Sequence, residues 1–171
     1  MPYPTKQIIT ETVLAFIVLA VFVIIAILAV RMAPAAAANI EADSSKWDSL
    51  KITTITEMYA KDAANQYAQT PTLMSYADQD LQQAMILEQS YFDQHEMICG
   101  TGHDVMWDSQ DPDYGQDKQI FISVDGLVQV HLAQGSDIYY KLTCAADTCQ
   151  VADVIMSDNQ SLKDFLNTNC L

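Results

Sequence analysis

Beyond residue 31 this chain has no arginine. Only six lysines (Lys46, Lys51, Lys61, Lys118, Lys141 and Lys163) stand there against 21 aspartates and glutamates, a net charge of −15. Nucleic-acid binding needs clustered lysine and arginine to neutralise phosphates, so that class is excluded. Adsorption to an anionic membrane surface is disfavoured for the same reason. What remains is a solvated acidic face, or an acidic patch for a basic partner.

The catalytic vocabulary is equally thin. There is no glycine-rich phosphate loop, no nucleophile elbow and no H-E-x-x-H motif, so the usual strings of phosphoryl transfer, acyl transfer and zinc hydrolysis are missing. Aspartate pairs are plentiful, but in so acidic a chain they carry no information. His131 falls mid-strand on the face opposite Val128 and Val130, with no evident serine or cysteine partner. The expectation is a non-enzyme that carries no cofactor.

Charge is also absent from Val13–Val30, eighteen consecutive apolar residues without Gly or Pro. As a helix it reaches roughly 27 Å, close to the thickness of a bilayer's hydrocarbon core. It is apolar all round, unlike a core helix with one wet face. The reading is a single transmembrane anchor over 13–31, bounded by Val13 and Val30 and including Phe16 and Phe22. No polar residue within it marks an intramembrane site, and no glycine motif favours tight helix pairing. Residues 1–12 are read as a cytoplasmic stub. Residues 32–42 offer small-x-small cleavage sites, but the apolar run exceeds the 7–15 residues usual for a signal core. A retained signal-anchor is therefore expected, in the cell (inner) membrane with the C-terminal domain periplasmic or otherwise extracytoplasmic.

Cysteine use supports that side. Cys99, Cys144, Cys149 and Cys170 all lie beyond the anchor, and an even number on one side of a membrane fits disulfides. Buried free thiols are the alternative. Cys144 and Cys149 flank Ala-Ala-Asp-Thr between two predicted strands, where a bridge fits across a hairpin. That leaves Cys99 and Cys170, with the other connectivities still open.

The rest of the chain reads as a stalk over 32–45 and one α+β domain over 46–171. Asp43-Ser44-Ser45 offers N-caps for a helix from about Lys46. Its apolar stripe is Ile52, Ile55, Tyr59, Ala63 and Tyr67. Gln69-Thr70-Pro71 breaks it. A second helix is predicted from Thr72 to His95, with Leu73, Ala77, Leu81, Ala84, Met85, Tyr91 and Phe92 on one face. Residues 100–117, with three Gly, one Pro and five Asp, read as a long loop. Then the period becomes two. Ile120, Ile122 and Val124 turn at Asp125-Gly126 into Val128, Val130 and Leu132. Gln134-Gly135-Ser136 turns again into Ile138, Tyr140 and Leu142, and Cys149–Met156 makes a fourth strand. A short helix, Ser161 to Asn167, closes the chain, with Ser157 or Asp158 as candidate caps.

Two loops hint at metals. His95, Cys99 and His103 are spaced by four, but Gly100 and Gly102 interrupt a helix there and no second ligand pair follows at zinc spacing. Asp111-Pro-Asp113-Tyr-Gly115-Gln-Asp117 approaches a calcium loop, with its glycine one place early and no terminal glutamate. Both read as non-metal segments, the second as a polar loop with Asx turns. Tyr59, Tyr67, Tyr76, Tyr91, Phe92, Trp107, Tyr139 and Tyr140 are expected to be core rather than pocket lining.

The order of elements resembles the nuclear-transport-factor-two-like cone fold, in which helices pack on a curved four-stranded antiparallel sheet. The resemblance rests on Gln116-Asp117 before the first strand, Cys149-Gln150-Val151-Ala152-Asp153-Val154 in the last, and Ser161-Leu162-Lys163-Asp164-Phe165-Leu166 in the closing helix. It covers roughly 46–171. One membrane helix before such a domain is also the plan of inner-membrane scaffold subunits of type IV secretion systems. That plan implies a non-catalytic subunit that binds other membrane protein subunits and forms homo-oligomers. A further resemblance is to type IV pilins, with an apolar N-terminal helix, a four-stranded sheet and a C-terminal cysteine. Here, however, no glycine precedes the apolar run, no glutamate sits five residues into it, and Pro34 and Pro71 punctuate the helix. A ligand-binding cone domain is the third reading.

Overall fold

The computed structural model describes residues 34–65 and 70–171, with side chains from Ser45 onward. The stub, the apolar run with Val13, Phe16, Phe22 and Val30, and Tyr67 lie outside the described residues. Among the described residues no helix is long and apolar enough to cross a membrane. Contacts divide the chain after Ser45.

The described part is α+β. Helix α1 (Pro34–Ala64) is followed by a 3-10 turn (Thr72–Ser75), helix α2 (Gln79–His95), strands β1 (Lys118–Ile122), β2 (Val128–Leu132), β3 (Asp137–Ala145) and β4 (Thr148–Ile155), and helix α3 (Leu162–Asn169). The sheet is an antiparallel meander in the order β1-β2-β3-β4.

Two helix boundaries differ from the sequence reading. The first described helix already covers Pro34–Ser45, ahead of the start near Lys46 that the sequence suggests, so the described part of the expected stalk is helical. Ala35–Ala38 are strong helix formers. The predicted second helix is broken. Thr72–Ser75 is 3-10, and α2 starts only after Asp78, whose carboxylate accepts from the Leu81 amide at 3.0 Å. The reason is a tertiary use of the backbone. Tyr76 and Asp78 exchange hydrogen bonds with Val151 of β4, both at 2.8 Å, making a short parallel bridge. That bridge covers part of the outer edge of β4, an edge otherwise open to unwanted pairing.

Alternation places Val128, Val130, Leu132, Ile138 and Tyr140 fully inside, and a register shift opposite Lys141/Leu142 lets both Val151 and Val154 of β4 face the core. Ile55, Met58 and Tyr59 of α1 and Leu81 and Ala84 of α2 join them in one core. Three readings fail at the surface. Val124 lies in the β1–β2 turn and is wholly exposed, and Phe92 is 48 % exposed. The β3–β4 turn is also tighter than predicted, with strand pairing extending to Ala145 and Thr148. Ala146 takes the left-handed conformation in that turn (φ 55°).

Helix α3 is capped by Ser161, not by Ser157 or Asp158; its hydroxyl accepts from the Asp164 amide at 3.0 Å. The same hydroxyl donates to Asp153 Oδ2 at 2.6 Å, while Asp153 Oδ1 accepts from the amides of Val154 (2.8 Å) and Lys163 (3.2 Å). A buried carboxylate on β4 thus receives the positive end of α3.

Disulfides join Cys99 to Cys170 and Cys144 to Cys149. The first ties the loop after α2 to the chain terminus, the second spans the β3–β4 hairpin.

Candidate functional site

Tyr59 is the centre of the interior between α1 and the sheet. Its ring meets Trp107 edge-on with centroids 5.0 Å apart, and Tyr140 at 6.1 Å. Its hydroxyl donates to the Met106 carbonyl. With its one proton so used, Tyr59 accepts from the Tyr140 hydroxyl, 2.8 Å away. Burial first, then the Tyr140 phenol and the carboxylates for Tyr59, and the carboxylates for Tyr140, hold both tyrosines protonated well above their ordinary range, although the Tyr59 hydrogen bond opposes the rise at Tyr140. Trp107 donates its indole N–H to Asp62 Oδ2 at 2.7 Å, and Lys118 Nζ lies 4.9 Å from its ring centroid. The interior around Tyr59 is therefore filled by large side chains whose polar atoms are hydrogen-bonded.

The sequence placed Tyr59, Trp107 and Tyr140 in the core but missed Asp62 and the depth of Met106. A signal for Asp62 exists: it lies three residues after Tyr59, in line with the buried stripe of Ile55, Met58 and Tyr59. A carboxylate on an apolar stripe asks for a buried donor. Nothing in the loop's composition points to Trp107 as that donor.

Beside this cluster lies a cavity of about 310 Å³ bordered by Asp62, Glu88, His103, Asp104, Leu73 and Leu166, among others. Burial pushes the Glu88 carboxyl above its usual range. Asp104 is also pushed up by burial, although hydrogen bonds from the Met106 and Trp107 amides oppose the rise. The Glu88 carboxylate packs directly over Gly100, where a Cβ would displace it.

A second depression, an open groove of about 450 Å³, runs along α2. Met74 and Met85 line it together with Ile86, Phe92 and Ile98, and Glu88 is on its rim.

The metal hints dissolve into local chemistry. Cys99 is in a disulfide. The His95 ring packs on Tyr91, and His103 contacts the Thr101 carbonyl and lies 3.6 Å from Asp108. Asp113 closes an Asx turn on the Gly115 amide at 2.9 Å. Among the described residues no three His, Cys, Asp or Glu are placed to hold a metal ion. His131 does have a partner, Asp137 Oδ1 at 2.8 Å across the β2–β3 pair. Hydrogen bonds from Gln129 and then His131 hold the Asp137 carboxyl below its usual range. Tyr139 and Tyr91 are half-buried, and Tyr76 lies under Lys61 Nζ at 5.4 Å.

No family model, no curated protein and no solved structure matches this chain.

Proposed function

We propose that this protein is a single-pass, membrane-anchored accessory or scaffold subunit of a larger membrane assembly. Its acidic, disulfide-bonded domain is extracytoplasmic, and it works by binding other proteins without catalysis. The observation that carries this reading is an uneven surface. Of the seven exposed large hydrophobic residues among those described, four (Ile86, Phe92, Met97 and Ile98) gather on α2 and the turn that follows. Scattered apolar residues need no explanation, whereas a gathered patch beside a groove marks an interaction site. The anchor rests on Val13–Val30, and the compartment on the two disulfides. Extraction of native membranes in mild detergent should recover the chain in stoichiometric complex with other membrane proteins. A monodisperse lone chain would count decisively against the proposal.

Two other readings have one favouring observation each. The cavity beside Asp62 and Glu88 favours a ligand-binding domain of the cone type, for which a thermal-shift screen is the test. The long α1, the four-stranded meander and the terminal disulfide favour a pilin-like filament subunit. An unprocessed N-terminus on chains sheared from cells, or none shed at all, would dismiss it.

A further inference from the structure

The groove on α2 has a chemistry that selects its occupant. Its floor is Met85, 8 % exposed, and its upper wall carries Phe92 and Ile98, 48 % and 66 % exposed. From Asp62 through Asp117 the chain has eleven acidic residues and neither lysine nor arginine. Glu88 is on the groove's rim, and Asp93 and Glu96 are exposed on α2 and at its C-cap. Lys61 donates to Ser75 Oγ of the 3-10 turn at 3.1 Å, so the acidic side of the groove is that of α2 and its C-cap. An apolar slot beside it is complementary to apolar side chains flanked on that side by positive charge.

We propose that this groove binds an amphipathic helix of a neighbouring protein, with apolar residues at i, i+3/i+4 and i+7 in the slot and Lys or Arg along its flanks. The proposal rests on the scaffold reading above and names the chemistry of its partner. A helix is favoured because it satisfies its own backbone. An extended segment would need an unpaired sheet edge, and the groove is lined by the 3-10 turn, α2 and Ile98, with no strand among them. A second copy of this chain is disfavoured, since a two-fold contact would set the same acidic segment against itself. An anionic lipid surface meets the same repulsion.

The test is site-specific photocrosslinking in native membranes with the full chain, a photoreactive phenylalanine replacing Phe92, Ile98 or, as control, Phe121 on β1. Retention of the Cys99–Cys170 linkage by non-reducing peptide mapping certifies each variant. If the Ile98 variant loses it, the conservative Phe92 variant decides. Phe92 and Ile98 should each give at least about tenfold more adduct than Phe121. Sequencing of the adduct should show one segment of another protein, with helical apolar spacing and two or more basic residues. Raising salt to about 1 M, where screening acts within about 3 Å, should cut the yield at least threefold. Adducts to a second copy, to lipid or to an acidic segment overturn the proposal, as does a yield no higher than the control. If the chain still co-purifies stoichiometrically while the groove gives no adduct, the groove proposal falls and the scaffold reading stands. If neither is seen, both fall.

Discussion

The indole N–H of Trp107 donates to Asp62 Oδ2 at 2.7 Å, joining the irregular loop after α2 to the last turns of α1 across 45 residues of sequence. Trp107 is fully buried and Asp62 is 9 % exposed. A long loop keeps its shape when a large side chain is both buried and hydrogen-bonded, because either alone leaves the ring free to turn.

Removing the acceptor should therefore loosen the loop. Asp62→Ala leaves a buried indole donor without a partner and is expected to cost about 2–3 kcal/mol. Asp62→Asn keeps an oxygen acceptor and should cost only about 1 kcal/mol. Urea titration followed by tryptophan fluorescence reads both, and equal losses in the two variants would refute the assignment.

The tyrosine pair gives an asymmetric expectation. Tyr59→Phe strands both the Met106 carbonyl and the Tyr140 hydroxyl and should cost about 2 kcal/mol. Tyr140→Phe removes only a donor to Tyr59 and should cost about 1 kcal/mol. Alkali should also separate the states. In the unfolded chain a tyrosine ionises near pH 10, whereas folded Tyr59 and Tyr140 keep their protons well above that. Above about pH 10 the folded state therefore binds more protons than the unfolded one, and stability falls as pH rises. Phenolate absorbance should lag for these two residues until the protein unfolds.

Glu88 should behave as a carboxylate that burial disfavours. Its folded pKa is raised, so folding is helped while it is protonated, and that help is lost as pH rises from about 4 through the raised value. Glu88→Gln is expected to raise the melting temperature at neutral pH. The gain should vanish below about pH 4, where Glu88 itself is neutral. A gain that persists in acid would point to packing instead of charge.

Asp153, buried like Asp62, has a different duty. Asp153→Ala removes the acceptor of Ser161 and two amides at once and should cost about 3 kcal/mol. Hydrogen exchange should show the amides of α3 losing protection before those of β2. Uniform loss would mean that Asp153 supports the sheet and not the helix.

The two disulfides should differ in weight. Cys99–Cys170 closes a separation of 71 residues and Cys144–Cys149 one of 5. Loop-closure entropy assigns them about 4 and about 2 kcal/mol as upper values. Strand pairing on either side already closes the shorter loop, so the Cys144→Ser/Cys149→Ser pair should cost well under the Cys99→Ser/Cys170→Ser pair. Chemical denaturation at fixed pH makes the comparison.

Much of this was legible in residue order. Val128, Val130 and Leu132 announce an inward face by simple alternation, and the hairpin flanked by Cys144 and Cys149 places those two cysteines opposite each other. Phe92 was misjudged because helical spacing assigns a face, and only the packing neighbours determine how wide that face is. Asp78 falls inside the helix that spacing predicts from Thr72, although it is the N-cap of α2. The backbone before it is claimed by Val151, more than seventy residues away.

By itself the sequence determined the α+β order, the acidic balance, the disulfide-bearing side of an apolar run and the succession of four strands, all of which follow from periods of two and near 3.6 residues and from composition. Tertiary structure alone decided that Trp107 fills the interior on Asp62, that Asp153 holds α3, and that α2 keeps an apolar groove open. Each depends on which distant atom fills a given space or accepts a given proton, and such pairings have no local period to betray them.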